Sequence, residues 1–530
     1  MRKNGLYNKR YMLWYMLCFL ALGVIDQRRG SAPGGIQMAA ANCVGLVVAG
    51  MLLPSLSREK FKSKIYALWT GIALLGGIAA GMWGWLNRTY REQWVTGVLN
   101  VMVWGYLVIY LMREWKQLSL TKRLRQPFFC GIVFLFLLMI LSVHGRILSL
   151  WMLLVFGGFY LIGIPELRRE DFCQGLLNGI ILWFFAQQIA AFGFRPYDYV
   201  RYRGLYAGET QNGIFYMIVY CAFLCKWIWA KERGVRRIVV WINFLLAAAS
   251  ISFLLFTGSR SSLMGVAVAT LFIYVIHDII KKKSFYKWVL HIAVLGICVV
   301  LSFPVVYGAI RYFPTILHHP IWYEGEYNER RSVRSFDPWD SNRYISFEHA
   351  VDTNIGRILK LLGIDIREWT SNQTSSLWTL RVYAAEVSEP GSSAENPYLP
   401  ADFDRKDAVA VRTAIYKYYL KHVNLLGHGN AEAEFYFQSN HVVRHAHNML
   451  IQMAYDYGAI AGLLFLILNL YSLVRLTKRA CRIPSDGSWC WLAFALAVFF
   501  YGMTEMAIVP GMITWVLLYL SFYFAGEEMI

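Results

Sequence analysis

Trp288-Val-Leu-His-Ile-Ala-Val-Leu-Gly-Ile-Cys-Val-Val-Leu-Ser-Phe-Pro-Val-Val-Tyr-Gly308 contains no Asp, Glu, Lys or Arg in 21 residues. As a helix rising about 1.5 Å per residue, it is about 31 Å long, the thickness of a bilayer's hydrocarbon core. Lys281-Lys-Lys283 and Lys287 stand before it, and a long polar stretch follows. Such a run reads as a membrane-spanning helix. The chain repeats it near 11–25, 35–54, 65–86, 94–112, 128–143, 147–164, 174–194, 211–230, 238–256, 262–279, 449–473, 488–507 and 510–525. That makes about fourteen spans by the usual length of ~20 apolar residues. The whole chain of 530 residues is 57% hydrophobic and only 16% charged, where a soluble domain carries about a quarter charged residues. The expected fold class is all-α: a polytopic membrane helix bundle of about 14 (12–14) transmembrane helices.

The formal net charge of +19 would suggest nucleic acid in a soluble chain, so the position of the charge decides its meaning. With the N-terminus inside, the inside connections hold 28 Lys or Arg and the short outside connections hold 9. The positive-inside rule then places both termini in the cytoplasm of a cell (inner or plasma) membrane. The charge is a record of orientation and of contact with membrane lipids, and no nucleic-acid partner is expected. The first run has a basic flank like that of a signal peptide. Asp26-Gln-Arg-Arg-Gly30 lacks a small-residue cleavage site, so a retained helix is expected.

One outside connection is long. Residues 309–446 hold 15 Lys or Arg against 17 Asp or Glu, and eight of the eleven His lie between His318 and His447. None of the nine Cys falls there, which excludes a disulfide-stapled outer domain. Helical apolar spacing appears over 346–362 and again over 404–422 with Asp404 as N-cap, and Gly427-His-Gly429 follows as a stop. Ser388 to Pro397 reads as a link. The organisation is therefore 1–308 as a bundle of about 11 spans, 309–446 as a helical extracytoplasmic cap, and 447–530 as about three further spans.

A transporter of this size places ionisable residues near the bilayer midplane. These spans are almost free of charge in their middles, and the polar chemistry collects at the outer face. Three features stand out there: Arg201-Tyr-Arg-Gly-Leu-Tyr-Ala-Gly-Glu-Thr-Gln-Asn212-Gly, Thr257-Gly-Ser-Arg260-Ser-Ser-Leu, and Arg412 with Leu426-Gly-His-Gly429 followed by His445-Ala-His447-Asn448-Met-Leu450. Each alone has an ordinary explanation: an arginine at a span end anchors to head groups, and Arg412 suits a solvated helix face. His441 and His445 have i,i+4 spacing, but the HExxH pattern of a zinc site is absent, so no metal is expected.

In chain order, the Thr-Gly-Ser-Arg260-Ser-Ser, Arg412…Gly427-His-Gly429 and His447-Asn448-x-Leu450…Gly458…Gly462 motifs resemble the O-antigen ligase and polymerase family. Arg203-Gly-Leu-Tyr with Asn212-Gly resembles that family's stretch before a span, although Glu209-Thr-Gln stands where a Pro commonly precedes the Asn. The resemblance implies a metal-independent, inverting glycosyltransferase without cofactors. Its donor is a polyprenyl diphosphate-linked glycan, and its acceptor is a hydroxyl of a glycan, lipid or wall polymer. It implies His447 as the catalytic base with His445 as fallback, Arg260, Arg412 and Arg203 as diphosphate ligands, and Asn448 and Asn212 in support. Guanidinium forks suit phosphate oxygens, and an imidazole with an ordinary pKa of about 6.5 suits an alcohol's proton. Trp322, Tyr323, Trp339, Trp369, Trp378 and Tyr398 of the cap suit sugar stacking or interfacial anchoring. An exporter or flippase of lipid-linked saccharides is the alternative reading.

Overall fold

The computed structural model describes residues 8–29, 36–56, 63–86, 92–116, 118, 123–142, 146–194, 201–206, 208–280, 286–317, 346–352, 356, 408–428, 435–438, 441–443, 445–482, 487–507, 509 and 511–527. The helices are α1 Lys9–Arg29, α2 Ile36–Leu52, α3 Lys64–Leu86, α4 Glu92–Arg113, α5 Pro127–Leu141, α6 Arg146–Ile162, α7 Arg169–Phe194, α8 Glu209–Glu232, α9 Arg237–Thr257, α10 Arg260–Ile280, α11 Tyr286–Ile316, α12 Phe347–Val351, α13 Ala408–Lys421, α14 Met449–Tyr457, α15 Ala459–Arg482, α16 Ser488–Gly502 and α17 Ile513–Gly526. Between α13 and α14 lies one short antiparallel hairpin, β1 Phe435–Gln438 with β2 His441–Val443, which apolar periodicity did not announce. Otherwise the described residues form an all-α membrane bundle. Among the described residues, eight helices are long and apolar enough to cross a membrane, and five shorter apolar helices accompany them. The count of fourteen read from the sequence stands apart from that eight.

Hydrocarbon offers no hydrogen bonds, so each span satisfies its backbone internally and the helices differ in how far neighbours enclose them. Among the eight longer helices the most enclosed is α8, in which every residue from Asn212 to Cys225 is buried. It packs against α7, α9, α10 and α16. By contrast α3 leans mainly on α4 and exposes Leu68, Ile72, Leu75 and Ile78, as a lipid-facing helix should. At one end of the bundle Arg475 Nε and Arg479 Nη1 of α15 donate to the last carbonyls of α17, Ala525 O (3.2 Å) and Phe524 O (3.1 Å). At the other end of α17, the Ile513 N–H donates to Asp26 Oδ1 of α1 at 3.1 Å. Each end of α17 is thereby tied to another helix by side-chain hydrogen bonds.

Two expectations about the long loop change. The apolar run 449–473 is broken: α14 ends at Gly458, whose φ of 99° no helix allows, and α15 starts anew at Ala459. Gly427 does not stop α13, which ends six residues earlier at Lys421. Instead Gly427 (φ 78°) lies against the backbone of Asp456 and Tyr457, and Gly458 lies against the Leu425 carbonyl. A methyl at either position would overlap main-chain atoms, so the two glycines lock the loop after α13 to the α14–α15 break. The His428 N–H donates to Tyr455 O (2.9 Å), the Ala459 N–H donates to Asn424 O (2.9 Å), and Asn424 Oδ1 accepts from the Gly427 N–H. A small core of Ala414, Ile415, Tyr419, Ala446 and Tyr455 fills the space between α13 and α14. Of the 346–362 prediction, Phe347–Val351 is helical with Ser346 as N-cap accepting from the His349 N–H. Most of 353–362, along with Asp404, the 388–397 link, Gly429 and the six cap aromatics, lies outside the described residues.

The glycine lock carries a stability prediction. Gly427→Ala combines a left-handed φ with a main-chain overlap and should cost about 2–4 kcal/mol. A clearly lowered unfolding midpoint in detergent is the expected result, and an unchanged midpoint would show that the lock is absent.

Candidate active site

Residues 201–206 lie across the turn that joins α9 to α10. The Tyr202 N–H donates to Phe256 O at 2.8 Å and Arg201 Nε donates to Thr257 O at 2.6 Å. These bonds occupy carbonyls at the end of α9, which a helix leaves without internal partners. From the first turn of α8, Asn212 Nδ2 donates to Tyr202 O at 3.2 Å. Gly258 closes α9 in the left-handed conformation, and Arg260 opens α10 with its side chain exposed. Arg203 Nε pairs with Glu209 Oε1 at 2.9 Å. Arg201 interacts electrostatically with Glu209, Glu505, Arg203 and Arg260, so it stands within one field that all four share. Burial draws its pKa below the usual arginine value, and the two carboxylates oppose that shift.

Glu505 brings in the second half. It lies just past α16, in the connection that α17 anchors, and its side chain is only 15% exposed. Arg412 Nη2, from α13, donates to its Oε1 at 2.8 Å, and His447 Nδ1 donates to its Oε2 at 2.9 Å. An ionised carboxylate only accepts hydrogen bonds. Beside an ionised carboxylate Nδ1 is therefore the donor, and in the neutral ring the lone pair lies on Nε2; the side chain is 30% exposed.

The backbone around His447 is built for this placement. Among the described residues His447 is the one non-glycine with positive φ, at 50°. Such a residue costs about 1–3 kcal/mol and persists where its surroundings over-determine it. Here they do: Tyr416 Oη donates to His447 O (3.2 Å), and Asn448 caps α14 by accepting from the Leu450 and Ile451 N–H groups at 2.9 and 3.1 Å. Asn448 Nδ2 reaches Met503 O at 2.8 Å, tying the cap to the strand of chain that carries Glu505. The Ala446 N–H donates to Gln452 Oε1 at 2.6 Å. His445 lies edge-on to His447 with ring centroids 4.1 Å apart. Burial, helped by the neighbouring His447, pulls its pKa down to about 4.

Arg203, Arg260, Arg412, His445 and His447 thus gather at one end of the bundle. Asn212 and Asn448 are buried there and commit their amides to backbone groups. Two members were missed as site residues. Arg201, read as an interfacial anchor, lies in the field of Glu209, Glu505, Arg203 and Arg260, and Glu505, which no sequence motif marks, joins Arg412 to His447. Four guanidinium groups face two carboxylates, which leaves the site cationic.

Two tests follow from this geometry. Because His445 is held below its unfolded pKa of about 6.5, the unfolded chain binds the proton first as pH falls. Its contribution to stability is complete above pH 6.5 and is lost towards about 4. His445→Asn should lessen the fall in unfolding midpoint over that range, and an identical pH profile would refute the burial. Asn448→Ala should cost about 1–2 kcal/mol through the lost cap, read as a lower unfolding midpoint.

No curated protein and no solved structure matches the chain. A family model does match, over residues 244–466, from the middle of α9 into the first turns of α15. The matched segment contains Arg260, Arg412, His445, His447 and Asn448, while Arg201, Arg203, Asn212 and Glu505 complete the arrangement from outside it. Over residues 244–466 this multi-pass membrane protein matches the family model described as O-antigen ligase (Wzy_C).

Proposed function

We propose that the protein is a membrane glycosyltransferase of O-antigen ligase or polymerase type, which moves a glycan from a polyprenyl diphosphate carrier to an acceptor hydroxyl. The observation that carries this reading is the Arg412–Glu505–His447 bridge standing beside Arg201, Arg203 and Arg260. The proposed orientation has both termini in the cytoplasm of the inner or plasma membrane, so the site faces outward. The excess of Lys and Arg in the opposite set of loops supports it. Residues 1–308, 309–446 and 447–530 then act as bundle, cap and closing spans.

In the proposed reaction the acceptor O–H gives its proton to His447 Nε2 while its oxygen bonds to the anomeric carbon. The bond from that carbon to the diphosphate oxygen breaks, and the electron pair leaves with the diphosphate. Displacement from the opposite face inverts the anomeric centre. Glu505 holds the Nδ1–H in place, leaves Nε2 basic, and stabilises the imidazolium that forms, as a carboxylate does for histidine in acyl transfer. The arginines neutralise charge that grows on the leaving diphosphate, where planar forks bind best. Arg260 is the main candidate because its guanidinium is exposed at the turn, whereas Arg203 and Arg412 each hold a carboxylate.

The exporter alternative calls for charged groups inside the membrane. From Ile214 to Cys225 the enclosed helix α8 has no Asp, Glu, Lys, Arg or His, which favours a site at the surface. Whether the product is a polymer or a finished chain on a new acceptor rests on the acceptor pocket. Sizing the surface glycan of a deletion strain separates the two: single repeat units mean a polymerase, and full-length chains left on the carrier mean a ligase.

The purified protein assayed with a polyprenyl diphosphate glycan tests the mechanism. Arg260→Ala and His447→Ala should each lower kcat on the order of 10²-fold or more with the fold intact, since one charge-stabilising contact is worth about 3 kcal/mol. Full activity in either variant overturns that residue's role. Glu505→Gln should depress kcat far more than it raises KM and should move the acidic limb of the pH profile, on which a general base becomes protonated, which a purely structural residue would not do. EDTA should leave the rate unchanged; inhibition reversed by zinc would make the reaction metal-dependent.

A further inference from the structure

The loop that follows α13 exposes apolar side chains where a water-facing loop would be polar. Leu425 and Leu426 are 69% and 71% exposed, and Leu420 in the last turn of α13 is more than half exposed. They cannot turn inward, because the inward face of α13 is already taken by Ala414, Ile415 and Tyr419 against Tyr455. The loop itself is held firmly. Its Asn424 carbonyl accepts from the Ala459 N–H and its Leu425 carbonyl touches Gly458, so Leu425 and Leu426 sit alongside the first turn of α15.

That first turn begins a stripe of exposed apolar residues, Ile460, Leu463, Ile467 and Leu470, which recur at helical spacing along a span apolar enough to cross the membrane. The stripe faces lipid, and the loop continues it beyond the end of the helix. Lys417 and Lys421 flank Leu420 on the same exposed face of α13, the pattern of a segment that dips apolar side chains into a leaflet and keeps its cations at the phosphates. The occupant of this surface is therefore the bilayer.

We infer that the 420–426 turn is a monotopic anchor, with Leu420, Leu425 and Leu426 inserted among the acyl chains of the leaflet that surrounds the start of α15. Only the assignment of that leaflet to the outer face rests on the orientation proposed above. The anchor has a consequence for the site. Arg412 is eight residues before Leu420, about 12 Å along the helix, so insertion limits how far its guanidinium can stand from the lipid phosphates. A lipid-linked diphosphate would meet Arg412 at the depth where its own phosphates lie.

Photocrosslinking tests the anchor without any assay of transfer. The photoreactive residue p-benzoylphenylalanine replaces Leu426 in the full chain, reconstituted in vesicles of phosphatidylglycerol and phosphatidylethanolamine. The same residue at Leu463 reports a lipid-facing position on α15. Lipid adducts at 426 in a yield within about threefold of those at 463 are expected. Adducts at 463 with none at 426, or crosslinks from 426 to a second copy of the chain in place of lipid, would overturn the proposal. A protein without transferase activity would still give the lipid adducts, so loss of the functional reading and loss of the anchor are told apart.

Discussion

Hydrocarbon cannot solvate a peptide group or a charge, and the architecture of this protein follows from that constraint. Spans close their own hydrogen bonds and leave unpaired carbonyls and N–H groups only at their ends. Chemistry is therefore assembled from helix ends and the short connections between them. The end of α9 receives Arg201 and Tyr202, the start of α10 presents Arg260, the cap of α14 sets His447, and the link between α16 and α17 delivers Glu505. A buried rigid helix, α8, stands behind the first two and gives them a fixed base.

Within that frame, Glu505 has the most to hold. Its two oxygens accept from side chains 93 and 58 residues away, both inside the matched segment that ends before Glu505. In a site of lowered dielectric a carboxylate shared between a guanidinium and an imidazole is worth more than the same contacts in water. It also fixes which histidine nitrogen carries the proton, and the left-handed backbone of His447 shows that local strain is accepted to keep that geometry. Site and fold meet here, because the carboxylate that orients the His447 imidazole also tethers α13 to the bundle.

Much of this was legible in the chain. Apolar runs announced the helices because every residue of a span obeys the same solvent. Charge in short loops supports the proposed orientation for a similar reason, since each lysine contributes independently. Arg260, Arg412 and His447 could be named because each lies in a short local motif. Arg201 and Glu505 could not be singled out, for neither has a neighbour in sequence that reveals its partner. The Gly427 and Gly458 motifs were visible, but their mutual lock was not, and Gly427 looked like a helix stop until its packing against Asp456 and Tyr457 was seen. The break at Gly458 was hidden inside a continuous apolar run.

The sequence by itself determined the solvent, the helical class and the residue types available for phosphate and proton chemistry, because these depend on composition and on spacing within a turn or two. Tertiary structure alone decided which arginine is central, which carboxylate holds the histidine, and where the apolar turn after α13 points. Those are long-range choices. They are set when helix ends far apart in the chain are brought within hydrogen-bond distance, and no local pattern encodes a contact whose partner is nearly a hundred residues away.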